Sequence, residues 1–275
     1  MRTLDTLQRG ASDVPLIDIG DAELHTEITG SGPDLVLMSG LGGVASFWRN
    51  QVPALSEHFR VITFDARGTG KSTPSKIVYS TEQMAGDVIK LIDALGIAKA
   101  HFVGHSTGGG MAQVIAVNHK ARVERLVLSA AWAGPTKLFI DMFAMRRQVL
   151  INCGPQAYFM VGTLLAVPAR ALHAQYAAGG DPILDRVKDF AGLEIELARI
   201  GAVMSHDMRS RVHAIDAPTL CIVARDDQMT PPPLSEELAQ RINGAKLVVL
   251  EEGGHFAPAI AAAAYNRHLL EFLRG

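Results

Sequence analysis

Cysteine is nearly missing from this chain. Among 275 residues there are two, Cys153 and Cys221, too few for a disulfide framework and too isolated for a thiolate metal site. Cys221 sits inside the apolar run TLCIVAR and reads as a small hydrophobe. An excess of charge is missing too: 26 Lys and Arg face 28 Asp and Glu, a net charge of -2. With no basic surplus to neutralise phosphates, nucleic acid is not expected as a partner, and small-molecule chemistry is. Nor is there a long apolar run. YFMVGTLLAV at 158–167 is too short to span a bilayer, and the opening MRTLDTLQRGASDVPLIDIG carries Arg2 and Arg9 without a continuous apolar segment or a small-residue cleavage pattern. The expectation is a cytoplasmic protein with no membrane partner. No repeat or low-complexity tract occurs, no ligand cluster calls for a metal, and GGG at 108–110 lacks the lysine and acidic partners of a phosphate loop, so no cofactor is expected. The composition leaves the oligomeric state open, a homodimer included.

What is present is an apolar fraction of 48%, enough to bury one large core. Short β-branched runs recur at 22–29, 34–40, 60–66, 100–106, 122–131, 219–225 and 246–252, with helical patterns between most of them. Continuous apolar strands separated by helices imply an α/β protein with a mostly parallel sheet covered on both faces. STEQMAGDVIKLIDALG at 80–96 is the clearest helix: Ser80 is placed to cap it, Gln83 stands in the capping-box position, Gly96 stops it, and Met84, Val88, Leu91, Ile92 and Leu95 share a face. The alternation breaks at residues 133–217, where four helical stretches follow one another, bounded by Gly134, Pro135 and Pro218. This reads as an all-helical lid inserted between two core segments, 1–132 and 218–275. The prolines at 231–233 read as a rigid turn before a helix starting near Ser235.

FVGHSTGGGM at 102–111 carries the first chemical signal. Gly-x-Ser-x-Gly between a strand and a helix matches a nucleophile elbow, in which Ser106 sits on a sharp turn. Gly104 and Gly108 are needed because side chains two positions from a strained turn would collide with the crossing backbone. A serine hydroxyl needs a base, and the base needs an acid to orient it. After the strand TLCIVAR comes DDQMTPP, and after KLVVLEE comes GGHFAP. An acid, Asp226 or Asp227, and His255 therefore emerge at neighbouring strand ends in that order. Of the ten histidines, His255 alone is preceded by two glycines that let it turn back over the sheet. His105, next to the serine, is expected to pack or support the elbow, since strand neighbours point to opposite faces. The developing oxyanion needs two backbone donors. One is expected from Thr107, and the other from MSGLGGVASFW, with Leu41 the donor and Gly42 the alternative.

The lid segment is rich in large apolar side chains. Most are expected to serve packing, and Gly40, Gly42, His105, Trp132, Phe139, Met142, Phe143, Met160 and Phe256 are the candidates for lining a substrate pocket. Arg146 and Arg147 could hold a substrate carboxylate, but are expected as solvated lid residues. Asp65 and Arg67 in FDARGTGKS are read as a structural brace rather than a charged site.

Strand, oxyanion loop, FDARGTGKS, elbow, helical insert, acid and histidine follow one another in an order that resembles the α/β-hydrolase superfamily from about Asp21 to Leu273. Within it, SGLGG, FRV, D.RGTG and GGH look like the branch of 3-oxoadipate enol-lactonases and aminoacrylate or carbamate-type hydrolases. The resemblance implies an α/β-hydrolase fold and a cofactor-free hydrolase with Ser106 as nucleophile, His255 as base and Asp227 as acid. Its Asp-x-x-x-Pro pattern lands on Asp227 and Pro231 and leaves Asp226 as a neighbour. Many members carry His-Gly where this chain has Ser39-Gly40, and the Gly-Gly-Gly-Pro-Gly loop of carbon–carbon bond hydrolases is missing. The implied activity is cleavage of a small ester, lactone or carbamate. Carbon–carbon bond hydrolysis or perhydrolysis on the same triad is the alternative, and a ligand receptor on a hydrolase scaffold is the non-enzymatic one.

Overall fold

The computed structural model describes residues 16–188 and 190–275. The first fifteen residues, where most of the stretch read for a leader lies, fall outside the described residues. The strands are β1 (Leu16–Asp18), β2 (Glu23–Thr29), β3 (Asp34–Met38), β4 (Arg60–Phe64), β5 (Ala100–His105), β6 (Val123–Ser129), β7 (Thr219–Ala224) and β8 (Lys246–Leu250). Among the described residues they form one eight-stranded sheet, ordered β1-β2-β4-β3-β5-β6-β7-β8. β2 runs antiparallel to both β1 and β4, and every pairing from β4 through β8 is parallel. The short edge strand β1 has no counterpart among the sequence-predicted strands.

The helices are α1 (Val52–Ser56), α2 (Thr81–Ala94), α3 (Thr107–Asn118), α4 (Lys137–Ala166), α5 (Ala169–Ala177), α6 (Pro182–Lys188), α7 (Leu193–Ser205), α8 (Pro232–Arg241), α9 (Ala257–Ile260) and α10 (Ala262–Arg274). The side-chain period of two divides each central strand between two cores. Val36 and Met38 of β3 point into the layer under α2 and α3, with Ile62, Phe102, Val88 and Leu91. Leu35 and Leu37 point the other way, onto Trp48, Val103, Tyr265 and Leu269. Both faces of β3 are therefore fully buried, which is why its sequence reads as an unbroken apolar run.

α2 begins where its sequence signals place it: the Ser80 hydroxyl accepts from the Gln83 amide at 3.1 Å. The Gln83 side chain does not close the capping box; its amide donates to Asp87 instead. α8 starts at Pro232, earlier than expected, because prolines tolerate the first helical turn, where no amide donor is required.

Helices α4 to α7 all lie between β6 and β7. α4 is kinked where Gly154 takes φ 81° and ψ 179° just before Pro155, so the first two helical stretches of the sequence are two arms of one bent element. The fourth stretch is two helices, α6 and α7, parted before Gly192 at φ 97°. The insert has its own apolar cluster, including Phe139, Phe143, Tyr158, Phe159, Ile183, Ile200 and Val203. Arg67 and Asp65 brace the loop after β4. The Arg67 guanidinium donates to both Asp87 oxygens at 2.8 Å and to Asp21 at 2.9 Å, and Asp65 accepts from the Ala45 and Lys71 amides.

Candidate active site

Ser106 follows the last residue of β5 and precedes the first of α3, and its backbone stands at φ 54°, ψ -117°. An L-residue in this region is strained, so the surroundings must hold it there. They do so through a direct crossing of chains: a Cβ on Gly104 would fall on the Gly108 carbonyl, and one on Gly108 would fall on the Met38 carbonyl. The Ser106 amide donates to the Ser129 carbonyl at 2.8 Å, and its own carbonyl accepts from Gly109. The hydroxyl is thereby presented at the end of the central strand, against Gly40, whose Cβ would lie 3.6 Å from Ser106 Oγ.

The loops after β7 and β8 supply the other two groups. His255 Nδ1 lies 2.9 Å from Asp227 Oδ2. Asp227 is 3% exposed, yet its lone pairs are not stranded: Oδ1 accepts from the Met229 and Thr230 amides at 2.8 and 2.9 Å, and the Thr230 hydroxyl lies 2.9 Å from Oδ2. With Nδ1–H donating to Asp227, Nε2 carries the free lone pair. Asp226 does separate work, accepting from the Gly254 amide at 2.8 Å and so holding the turn that carries His255.

Ser106, His255, Gly40, Leu41 and Gly42 all line one cavity of about 120 Å³. Thr107 does not line it. As the first residue of α3, however, Thr107 has a backbone N–H with no intrahelical acceptor. The Leu41 carbonyl is gripped by Arg199 of α7 through Nε at 3.2 Å and Nη2 at 3.0 Å.

His105 lines the cavity as well. Its ring stacks on Phe47 at 4.8 Å and sits 4.9 Å from the His255 ring, and Nδ1 is 3.1 Å from the Ser129 hydroxyl. Burial first, and the neighbouring His255 second, push its basicity well below that of an ordinary imidazole. It is a neutral packing group beneath His255.

The predicted pocket is corrected in four places. Phe143 and Phe256 line the cavity, but Trp132, Phe139, Met142 and Met160 do not. Trp132 and Phe139 pack on each other with ring centroids 4.7 Å apart, inside the insert's core. Met142 is wedged between that core and a small cluster around Leu172 and Met229. Met160 faces outward, 37% exposed, because the kink at Gly154 resets which face of the second arm points inward. The cavity wall is instead completed by Tyr158, Phe159 and Gly162 of α4, Arg186 of α6, Glu196 of α7 and Met229. Arg146 is also there, 3% exposed, although Arg147 beside it is exposed as expected. Helical spacing could have found Arg146, which lies three residues beyond Phe143 and four before Leu150 on the buried face. Among the described residues, no group of three His, Cys, Asp or Glu side chains converges as a metal site would require.

The fold agrees with that of known proteins. A family model described as alpha/beta hydrolase fold matches residues 33–152, and a second, described as TAP-like protein, matches residues 202–275. The chain belongs to the α/β-hydrolase family and is a hydrolase. Its relatives include proteins named "Putative carbamate hydrolase RutD": that of Variovorax paradoxus is 40% identical over 256 residues, covering 91% of this chain and 96% of the relative. That of Pseudomonas savastanoi pv. phaseolicola is 35% identical over 253 residues, covering 91% and 97%. Among solved structures, the enol-lactonase from Burkholderia xenovorans superposes with a TM-score of 0.87 at 30% identity, covering 95% of this chain and 100% of that one.

Proposed function

We propose that the protein is a serine hydrolase that cleaves a small ester, lactone or carbamate through an acyl-enzyme on Ser106, without a cofactor. The observation that carries this reading is the His255–Asp227 contact of 2.9 Å, made by a histidine that shares one small cavity with Ser106. Ser106 Oγ attacks the substrate carbonyl carbon while His255 Nε2 takes its proton. Asp227 holds the imidazole in the required tautomer and stabilises the imidazolium that forms. The amides of Leu41 and Thr107 receive the developing oxyanion. His255 then returns the proton to the leaving group, and a water molecule, activated by the same histidine, releases the acid and regenerates Ser106.

In this reading the insert at 133–217 is a lid that closes the cavity over the acyl group, and the substrate is a soluble small molecule. The names of the relatives, carbamate hydrolase and enol-lactonase, support cleavage at an acyl carbon. The experiment is a panel of short p-nitrophenyl esters, lactones and carbamates assayed with wild type and Ser106→Ala, together with mass spectrometry of the intact protein after rapid quenching. Loss of turnover in the variant and an acyl mass on Ser106 are expected. Unchanged turnover by Ser106→Ala would end the mechanism.

A further inference from the structure

The cavity wall opposite the sheet holds two guanidinium groups that the hydrolytic chemistry does not use. Arg146 is 3% exposed. Its guanidinium lies over the rings of Phe143 and Tyr158, 5.0 and 4.8 Å from their centroids, its Nε has no hydrogen-bond partner, and its Nη1 reaches only the Met229 sulfur at 4.0 Å. Arg186 covers the Phe159 ring at 4.7 Å and donates to the Thr163 hydroxyl at 3.0 Å. Among the described residues neither arginine forms an ion pair. The one carboxylate on the same wall, Glu196, is turned to the Tyr158 hydroxyl at 2.6 Å. Burial, and then Arg146, push the Arg186 guanidinium down to about 10.

Two like charges on one cavity wall, a buried one with an orphaned donor and a half-buried one, are costly unless a counter-charge arrives. The guanidinium pair and Glu196 leave a surplus of one positive charge facing the cavity. We propose that Arg146 and Arg186 form an anion subsite and that the substrate carries a carboxylate remote from the bond that Ser106 attacks, an inference that rests on the hydrolase reading of the same cavity. A single carboxylate balances the surplus; a phosphate dianion would exceed it. Arginine suits the task because its planar fork pairs with both oxygens of a carboxylate while its faces stay on aromatic rings.

The test compares the phenyl monoester of adipic acid, whose carboxylate is too far along the chain to assist cleavage of its own ester, with its neutral methyl phenyl diester, in wild type, Arg146→Gln, Arg186→Gln and Arg186→Lys. Wild type should favour the monoester in kcat/KM. Each Gln variant should lower the ratio of the two kcat/KM values by roughly ten- to a hundredfold, as expected for loss of a charged hydrogen bond, and Lys should restore part of it. Circular dichroism melts identify a variant that fails to fold, and Arg186→Lys keeps the question open to measurement if a Gln variant does. Binding is read separately by calorimetry with butyrate and inorganic phosphate on Ser106→Ala, which needs no turnover. Butyrate binding that weakens in the Arg186→Gln background, with phosphate weaker than butyrate, supports the subsite. Equal kcat/KM for the two esters, a ratio unmoved by the arginine changes, or phosphate binding at least as tight as butyrate would overturn it. If neither ester is hydrolysed but butyrate binds through the arginines, the hydrolytic reading fails and the anion site stands.

Discussion

Arg199 donates to the Leu41 carbonyl through Nε and Nη2 while Nη1 donates to the Arg67 carbonyl at 3.2 Å, so a residue of the helical insert fixes the backbone of the loop facing Ser106. Arg199 is 1% exposed and forms no ion pair among the described residues; each of its three guanidinium nitrogens donates to a backbone carbonyl. In the proposed mechanism this anchor keeps the Leu41 peptide in place, so that its amide can serve as an oxyanion donor. Arg199→Met keeps much of the side-chain volume and removes the donors. It should lower kcat for a short ester about ten- to a hundredfold with little change in KM, since a misplaced oxyanion donor is felt in the transition state. Arg199→Lys should recover part of the loss. A change confined to KM would show that the contact serves binding alone.

The two adjacent acids are separated by what they touch. Asp227 meets His255 Nδ1, whereas Asp226 meets the Gly254 amide. Asp227→Asn should therefore reduce kcat by about 10³- to 10⁴-fold, the loss expected when an amide favours the wrong imidazole tautomer. Asp226→Asn keeps an acceptor for the Gly254 amide and should cost less than about tenfold. Steady-state kinetics on one ester decides the assignment, and the reverse order would move the acid to Asp226.

Glycine substitutions should divide according to the space beyond each Cα. A Cβ at Gly108 meets the Met38 backbone, so Gly108→Ala must displace either β3 or the start of α3. A loss of several kcal/mol in a denaturant melt, or failure to accumulate folded protein, is expected; overpacking alone costs about 1–3 kcal/mol, and here the obstacle is main chain. Gly86, inside α2, has nothing within 4 Å of the place a methyl group would take and no positive φ. Gly86→Ala should stabilise the protein by about 0.5–1 kcal/mol, because helix formation then sacrifices less chain freedom.

These contrasts also mark how far local sequence carries. The positions of Ser106, Asp227 and His255 were each legible because each follows a strand and is announced by neighbours that shape a turn: Gly104 and Gly108 about the serine, Pro231 after the acid, Gly253 and Gly254 before the histidine. The parallel sheet was legible in its apolar runs, but β1, three residues long, is too short to leave a period. The cavity wall was not legible in the same way. Arg146, Arg186 and Glu196 come from three insert helices, α4, α6 and α7, whose meeting depends on the bend at Gly154 and on the packing of the insert rather than on any local spacing. Apolarity marked Trp132 and Phe139 as candidates for the pocket, and they lie in the insert's core instead, because a helical face tells that a side chain is buried, not what it is buried against.

Acid should loosen the join between insert and core. His206, just after α7, is 3% exposed. Its Nδ1 is 2.8 Å from the Thr81 hydroxyl at the start of α2, its ring meets Trp132 edge-on at 5.6 Å, and Nε2 has no partner. Burial pushes its pKa down from an ordinary 6.5 to about 4, although the charges of Glu82 and Asp207 pull the other way. Between those values the unfolded chain holds a proton that the folded protein refuses, so folding stability is lost as pH falls from about 6.5 toward 4 and is retained above. The gap corresponds to at most about 3 kcal/mol. His206→Gln removes the titration and keeps a polar partner for Thr81. Its melting temperature should start lower than that of wild type at pH 7.5 yet fall less between pH 7 and pH 4.5. Parallel pH curves for the two proteins would show that His206 does not set the acid sensitivity and that other titrating groups carry it.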